Sequence, residues 1–380
     1  MLLEAQLFPR EKPCGEGVSA RALAVLERMG LGNWLQEGGF FAPQELFLSS
    51  PDGNFMRERP EPSSGLCYGL TIPRLKLDET LARQAVSAGA VLVEGARALG
   101  LERLTGSKVK VTARQRGRLI DVETQLVLAS DGAAVSFSRS LGLARKSSDL
   151  MAVRAHFAGA EPPDFLLEIH YDRAILPGYG WVFPLGGGLV NVGVGAFAAR
   201  LKGQVYGRRY TGYGGMRGLL ERFIKSNPHV RERLRAAGRV DPARGGAIRA
   251  GADFGRLCDD NVLVAGEAAG LVNPLTGEGI SSALESGELA AEFAMRALEK
   301  GDFSAASLSA YSRALAERYG REQRAAQILR ALFSLPWVVN RITRRARVDK
   351  AFAQYISKVL IGFYPMRTAL RPGFLFRLIF

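Results

Sequence analysis

The sequence has little cysteine and little histidine for its length. Three cysteines, Cys14, Cys67 and Cys258, are widely spaced among 380 residues. They predict neither a disulfide framework nor a cysteine-rich zinc site, and they fit a reducing compartment. The three histidines are equally scattered, so we predict no metal site. No run of about 18 apolar residues occurs, which argues against a membrane-spanning helix, and the opening MLLEAQLFPREK lacks the apolar core of a signal peptide.

Hydrophobic residues make up 47% of the chain and charged residues 23%, the composition of a globular protein rather than a disordered one. A chain of 380 residues exceeds one ordinary domain, so we expect two or three.

Positive charge is concentrated late in the sequence. The segment 302–380 carries fourteen Lys or Arg against four Asp or Glu, a net +10 of the chain's +14. Its basic residues are interleaved with apolar ones, as in ILRALFSLPWVVNRITRRARV, whereas a nucleic-acid-binding tail is usually basic and polar. We therefore predict an anionic membrane surface, and no nucleic acid, as a partner of a helical region at 301–380. Packing of this region on the rest of the protein is an alternative that does not exclude membrane contact.

The order of predicted elements indicates an α/β fold. A strand ends near Glu4, Ser19 caps a helix, and a strand-rich middle is followed by a long helix from Ile280 to about Glu299. This order predicts a Rossmann-like dinucleotide-binding domain, N-terminally incomplete, with an inserted antiparallel β-sheet domain and a C-terminal helical region. We place the first domain at 1–40, 68–148 and 256–300, and the β-rich domain at 41–67 and 149–255.

The strongest motif occupies residues 262–292. A buried strand ends before Gly266, which permits a tight turn, and Glu267 puts a carboxylate at the carboxyl end of that strand, where open α/β sheets bind ligands. A second turn, NPLTGEG, contains Pro274 and leads into the helix at Ile280. We predict that free backbone N–H groups of this turn face an electron-rich ligand edge, namely those of Gly277, Glu278, Gly279 and Ile280.

A second pattern lies in PGYGWVFPLGGGLVNVGVG. Tyr179, Trp181 and Phe183 alternate with other residues, so on a strand they share one face. Gly193 belongs to a similar face with Asn191 and Gly195. An aromatic face beside a glycine-lined face predicts the wall of a long apolar cavity, although plain core packing is an alternative for each aromatic residue.

These blocks, in this order, resemble FAD-dependent oxidoreductases of the geranylgeranyl reductase family, which have the p-hydroxybenzoate hydroxylase-like fold. GEAAGLVNPLTGEGI followed by ALESGELAA is similar to the family's second flavin-binding motif. FPREKPCGEGVSARAL is similar to its cysteine loop, ASDGAAVSFSRSLGL to its Asp-Gly block, and PGYGWVFPLGGGLVNVGVG to its aromatic block. The resemblance covers roughly residues 1–300.

The resemblance implies FAD as the cofactor and leaves the electron donor, NAD(P)H or ferredoxin, open. It places Cys14 near the flavin ring as a candidate catalytic residue, with a small buried thiol as the alternative. It implies that an isoprenoid chain contacts Tyr179, Trp181, Phe183 and Gly193. It assigns cofactor binding to Glu4, Arg21, Asp131, Gly132, Gly266, Glu267, Pro274, Gly277, Gly279 and Ile280. For Arg21, a solvated arginine on a helix is the alternative.

Two departures from the family pattern bear on the cofactor. Family members open with a strand, a GxGxxG turn and a helix that hold the FAD pyrophosphate, and no such unit precedes Glu4 in this sequence. We therefore expect the chain as given to bind FAD weakly or not at all, and a form extended by such a unit at its N-terminus to bind it. Glu267 also stands where relatives carry Asp, which adds one methylene group beside the expected ribitol.

The resemblance implies a reductase that saturates C=C bonds of an isoprenoid chain on a lipid or quinone. We expect it in the cytoplasm, bound peripherally at the inner face of the membrane. A flavin monooxygenase or halogenase of the same fold is one alternative, which the YGWVFP block and the cysteine loop disfavour. A flavin-less protein that binds an apolar ligand or a membrane is the other, and a yellow purified protein would exclude it.

Overall fold

The computed structural model describes residues 1–59, 69–144, 150–161, 165–197 and 215–374. Cys67, parts of the predicted β-rich domain and the last six residues of the predicted basic region lie outside these ranges.

Within the described ranges the helices are α1 (Ala20–Leu26), α2 (Gly32–Glu37), α3 (Arg74–Ser87), α4 (Ser136–Ser140), α5 (Gly215–Ser226), α6 (Pro228–Arg233), α7 (Ile280–Lys300), α8 (Ala305–Phe333), α9 (Pro336–Val348) and α10 (Lys350–Leu360). The strands are β1 (Leu2–Glu4), β2 (Gly17–Ser19), β3 (Glu45–Ser49), β4 (Phe55–Glu58), β5 (Gly69–Thr71), β6 (Leu92–Glu94), β7 (Ala96–Arg103), β8 (Val109–Gln115), β9 (Arg118–Thr124), β10 (Val127–Ala129), β11 (Leu150–Ala158), β12 (Leu166–His170), β13 (Tyr179–Gly186), β14 (Leu189–Phe197), β15 (Gly238–Arg239), β16 (Arg244–Ile248), β17 (Cys258–Asp259) and β18 (Val262–Val264).

Short parallel strands form one part of the molecule. β1 pairs with β6, and β10 pairs with β18, in two separate small sheets. The helix that follows β2 begins as the sequence predicts, because the Ser19 side chain accepts a hydrogen bond from the Ala22 N–H. The long helix α7 likewise begins at Ile280. Parallel strands joined to helices in this way are typical of dinucleotide-binding domains.

A large antiparallel sheet forms the other part, in the order β15-β11-β14-β13-β12-β3-β4, with β16 also paired to β11. β3 and β4 come from an earlier stretch of the chain than β11–β14, yet they join the same sheet through a parallel pairing of β3 with β12. The fold class predicted from the sequence is therefore confirmed: an α/β domain, a large antiparallel sheet and a helical C-terminal region.

The two faces of the large sheet carry different helices. On one face, Val153, Val192 and Val194 pack against Leu219 and Phe223 of α5. On the other, apolar residues of β3 and β4 pack against α8, α9 and α10, as Leu46, Leu48, Val339, Ile342 and Phe352 show. The predicted helices of the basic region thus have apolar faces packed on the body of the protein, which is the packing alternative.

Candidate active site

A cavity of about 520 Å³ lies where the large sheet meets the parallel strands. The loop before β2, the aromatic residues of β13 and the turn before α7 form its walls, and Leu360 and Ile361 at the end of α10 border it as well. Elements from distant parts of the sequence therefore meet around a single space, as ligand sites at a junction of two sheets commonly do.

The aromatic residues of β13 form one wall. Tyr179, Trp181 and Phe183 all line the cavity, and their ring centroids lie 6.0 Å and 6.2 Å apart in sequence order. Gly193, on the neighbouring strand, lies under the Trp181 indole, so a Cβ there would collide with that ring. Gly193 lets the indole approach β14 closely, whereas Gly195 is the glycine of that strand that lines the cavity.

The turn between β18 and α7 forms the opposite wall. Gly266 and Gly277 line the cavity at φ +64° and +67°, where glycine is the favoured residue. The Gly277 N–H donates to the Asn273 carbonyl (2.9 Å), and the Glu278 N–H donates to Thr276 Oγ1 (3.3 Å). The prediction that these two N–H groups are free is therefore wrong, because the turn itself uses them.

Two N–H groups of that turn do remain available. Within the described residues, the Gly279 and Ile280 N–H groups have no acceptor, and both residues line the cavity at the start of α7. The start of a helix favours an electron-rich group. Pro274 lies in the same turn but does not line the cavity.

Glu267 and Gly132 border the cavity, while Asp131 is engaged locally. The Glu267 carboxylate pairs with Lys12 Nζ (3.1 Å) and accepts the Arg249 N–H (3.3 Å). Asp131 caps α4 by accepting the N–H groups of Phe137 (2.9 Å) and Ser138 (3.1 Å). Its side chain therefore stabilises a helix start and does not line the cavity.

Arg21 and Glu4 lie outside the cavity lining. Arg21 binds Glu285 with both Nε (3.2 Å) and Nη2 (2.6 Å), which ties α1 to α7. Burial lowers the pKa of Arg21, but Glu285 outweighs it and raises the pKa overall. Glu4 pairs with Arg10 (3.2 Å) at the end of β1. Arg21 and Glu4 therefore lie apart from the predicted cofactor-binding residues that border the cavity.

Cys14 lines the cavity in the loop before β2. Its Sγ accepts the Glu16 N–H (3.3 Å) and contacts the Arg74 side chain, which also binds Asp78 through two hydrogen bonds. Burial lowers the pKa of Arg74, but its interactions with Cys14 and Asp78 outweigh burial and raise it. A permanently charged guanidinium therefore lies beside the thiol.

Sequence reasoning missed a buried polar network beside this loop. Glu16 lines the cavity, and its Oε2 lies 2.8 Å from His156 Nε2 and 3.0 Å from Asn191 Nδ2. Asn191 also accepts the Trp181 indole N–H (2.9 Å) and donates to the Cys14 carbonyl (2.8 Å). A glutamate between two glycines in CGEG was the available signal, but His156 lies 140 residues further on and shows no pattern of its own.

The residues around the cavity fit the ring system of FAD. At Gly132 and Gly246 the backbone faces open space, because no atom lies within 4 Å of a Cβ added at either residue. The N–H groups of Gly279 and Ile280 are available to donate to a ligand. Glu4 and Arg21, which the resemblance assigns to the adenosine ribose and the phosphates of FAD, already bind partners in their own chain. The observed fit therefore concerns the flavin ring.

Two searches of the described ranges bear on other kinds of site. They contain no group of three or more His, Cys, Asp or Glu side chains arranged to hold a metal ion. In the same ranges, every helix is too short or too polar to cross a bilayer.

Comparison with solved structures identifies the fold. A geranylgeranyl bacteriochlorophyll reductase-like protein from Thermoplasma acidophilum superposes with a TM-score of 0.77 at 21% identity, over 94% of the chain and 89% of that protein. A flavin-dependent brominase superposes with a TM-score of 0.75 at 18% identity, over 97% and 91%. The fold is thus one that reductase-like proteins and halogenases share.

Comparison with known sequences identifies the family. The menaquinone reductase of Mycobacterium tuberculosis is 32% identical over 343 residues, covering 88% of the chain and 78% of that protein. A digeranylgeranylglycerophospholipid reductase from Methanothrix thermoacetophila is 30% identical over 314 residues, covering 81% and 74%. No protein-family model matches the chain. The chain belongs to the geranylgeranyl reductase family of FAD-dependent oxidoreductases.

Proposed function

We propose that the protein is an FAD-dependent reductase that saturates C=C bonds in the isoprenoid chain of a lipid or quinone. The observation that carries this proposal is the meeting of three aromatic side chains and a glycine-rich turn around one cavity of about 520 Å³. Such a space suits a flat ring at one end and a flexible apolar chain beside it. The names of the relatives, a menaquinone reductase and a digeranylgeranylglycerophospholipid reductase, favour an isoprenoid substrate.

Each wall has a separate task in this proposal. Bound FAD would supply the hydride. The backbone of Gly132, Gly266, Gly279 and Ile280 would hold its ring, and Glu267 would lie beside its ribitol. The aromatic residues of β13 pack against the apolar chain and exclude water. The Tyr179 hydroxyl donates to the Thr276 carbonyl, which fixes the aromatic wall against the turn.

Substrate turnover tests the proposal directly. The purified full chain, loaded with FAD and reduced with dithionite, is mixed with menaquinone in detergent micelles, and the product is analysed by mass spectrometry. We expect a mass gain of one H₂ for each saturated bond. Trp181→Ala should lower the yield at normal flavin content, whereas Met295→Ala, at a methionine on α7 that is 62% exposed, should not.

Three results would count against the proposal. Reduction of the quinone ring alone, with an intact side chain, would exclude C=C saturation. Chlorination or hydroxylation of an aromatic substrate would favour the halogenase or monooxygenase alternative. A colourless protein that FAD cannot load would favour the flavin-less one.

We also propose that this cytoplasmic enzyme binds the inner face of an anionic membrane through its C-terminal helices. Leu335, Trp337 and Val348 are exposed apolar residues of this region. Leu360 and Ile361 bring the cavity to the same region, which would shorten the path of a lipid tail. Basic and apolar side chains on one surface favour an anionic bilayer.

The arginines of this surface have a second role, which shapes the test. Arg344 pairs with Asp52 (2.6 Å), Arg345 with Asp349 (3.1 Å), and Arg347 donates to Asn54 (3.2 Å). Liposome flotation should therefore compare Trp337→Ser, which leaves these contacts intact, with Met295→Ser at an exposed site on α7. We expect only the former to weaken binding, and binding to need anionic lipid and low salt. Equal binding by both variants would mean that the basic region serves packing alone.

A further inference from the structure

The network beside the cysteine loop links the protein surface to the cavity. His156 Nε2 lies 2.8 Å from Glu16 Oε2, and His156 Nδ1 lies 3.0 Å from Asp241 Oδ2. Asp241 is partly exposed, whereas Glu16 is 2% exposed and lines the cavity. Two consecutive hydrogen bonds therefore connect solvent with a buried carboxylate at the cavity wall.

Glu16 is held in place against its backbone preference. Its φ is +65°, in the left-handed region that side chains other than glycine rarely adopt. Such a conformation is strained and persists where surrounding contacts determine it. Those contacts are the His156 ring, the Asn191 amide and the Arg74 N–H (3.2 Å), all of which bind the carboxylate.

The charges of the network favour a proton on His156. Burial raises the pKa of Glu16, but hydrogen bonds from His156 and Asn191 outweigh it and lower the pKa overall. Burial lowers the pKa of His156, yet the Glu16 carboxylate outweighs burial and raises it. Since ionised carboxylates only accept hydrogen bonds, both ring nitrogens can donate to them only in the imidazolium form.

Other charged groups also face this histidine. Asp241 raises the pKa of His156, and Arg154, whose Nη1 lies 3.2 Å from Nδ1, lowers it. Arg154 is itself neutralised by Asp241 and by Glu11 (2.6 Å). The positive charge of Arg154 is therefore shared with two carboxylates, which leaves Glu16 to stabilise the imidazolium.

We propose that Glu16 delivers the proton for the reduction at the cavity wall, and that His156 and Asp241 resupply it from solvent. This role rests on the function proposed above, in which the reduced flavin is the electron donor. One alkene carbon gains the hydride, and the π electrons form a C–H bond at the other carbon with a proton that the His156 imidazolium passes through the Glu16 carboxylate in the same step. Glu16 is then again a carboxylate and His156 is neutral, and His156 recovers a proton from solvent through Asp241. Glu16 is the catalytic residue, and His156 acts through it as a positioning and proton-supplying residue.

The first test needs no turnover. With only three histidines in the chain, the ring protons of each can be followed by NMR against pH, and His156→Gln identifies the signal of His156. We expect His156 to titrate above the ordinary histidine value of 6.5 and its midpoint to fall in Glu16→Gln. An unchanged midpoint in Glu16→Gln would overturn the proposal, because the two groups would not be coupled.

The second test measures, by rapid quench and mass spectrometry, the rate at which the dithionite-reduced holoenzyme forms the saturated product from menaquinone micelles in a single turnover. Glu16→Gln keeps the shape of the side chain but cannot carry the proton, so we expect a rate loss of about 100-fold or more at unchanged flavin content. Glu16→Asp should recover part of the rate, because aspartate keeps the carboxyl group and tolerates a left-handed backbone. His156→Gln should remove the fall in rate at alkaline pH that wild type shows, and His229→Gln should leave that fall in place.

The outcomes separate this role from the function on which it rests. Wild-type turnover with an unaffected Glu16→Gln rate would overturn the proton route and leave the reductase proposal standing. A wild-type holoenzyme that saturates no C=C bond would contradict the reductase proposal, and the proton role with it, even where the NMR coupling is found.

Discussion

Two glutamates in this protein are buried to a similar degree but have different hydrogen-bond partners. Glu16 is 2% exposed and Glu285 is 5% exposed, and hydrogen bonds outweigh burial to lower the pKa of both. Glu285 binds Arg21 (2.6 Å), Arg318 (3.2 Å) and the Tyr319 hydroxyl (2.6 Å), and so joins α1, α7 and α8. Glu16 binds a histidine, an amide and a backbone N–H at the cavity wall.

The difference lies in which partners change their charge near neutral pH. Arginine stays protonated throughout the physiological range, so the charge of the Glu285 cluster is constant and its role is structural. Histidine changes its charge close to neutral pH, so the interaction at Glu16 varies with conditions. A buried carboxylate is thus a structural or a reactive group according to its partner and its access to a cavity.

The largest effect on folding should come from Glu285→Ala. The change removes at once the acceptor of Arg21, Arg318 and the buried Tyr319 hydroxyl. We expect a loss of about 3 kcal/mol in the free energy of unfolding, because the buried Tyr319 hydroxyl loses a charged acceptor and two half-exposed arginines lose their ion pair. Urea unfolding followed by circular dichroism measures it.

Glu288→Ala is the matched control for that experiment. Glu288 lies on the same helix and pairs with Arg28 (2.9 Å), but both side chains are about half exposed. We expect a loss below about 1 kcal/mol. Equal losses in the two variants would show that burial of the Glu285 cluster contributes nothing.

A smaller loss should follow Trp181→Phe. The substitution removes the indole N–H that Asn191 accepts (2.9 Å) and leaves a buried amide oxygen without its donor. We expect a loss of about 1–2 kcal/mol in stability and, since Asn191 also binds Glu16, a slower alkene reduction. Trp337→Phe, at an exposed site, should change stability by no more than about 0.5 kcal/mol. Equal stability and equal rates in Trp181→Phe and Trp337→Phe would show that the hydrogen bond from Trp181 to Asn191 contributes to neither.

The positions of residues that form the cavity wall or begin a helix could be predicted from the sequence. Alternation along a strand puts Tyr179, Trp181 and Phe183 on one face whatever the rest of the chain does. Ser19 and Ile280 mark helix starts for reasons confined to a few neighbouring residues. The fold class followed from such local patterns together with the family resemblance.

The partners of charged residues could not be placed in this way. Arg21 and Glu285 are 264 residues apart, and Glu16 and His156 are 140 residues apart. A long arginine can reach several carboxylates, so its partner is decided by the packing of α1 on α7 and not by any local pattern. The same holds for the turn before α7, where Thr276 and Asn273 take N–H groups that the sequence left available.

The smallest expected effect concerns how stability varies with pH, and it separates the two glutamates most sharply. Glu16 outweighs burial and raises the pKa of folded His156, so protonation favours the folded state. The stability from this pair is fully present below the unfolded histidine value of 6.5 and is lost as pH rises through the folded pKa. We therefore expect wild type to lose stability on the alkaline side and His156→Gln to lose less over the same range, in urea midpoints measured across pH.

His229→Gln is the control, because burial lowers the pKa of His229 and its contribution is instead lost on acidification. Glu285→Ala should leave the alkaline slope unchanged, since its arginine partners do not titrate there. Parallel alkaline slopes in wild type and His156→Gln would mean that Glu16, like Glu285, sits in a cluster of constant charge.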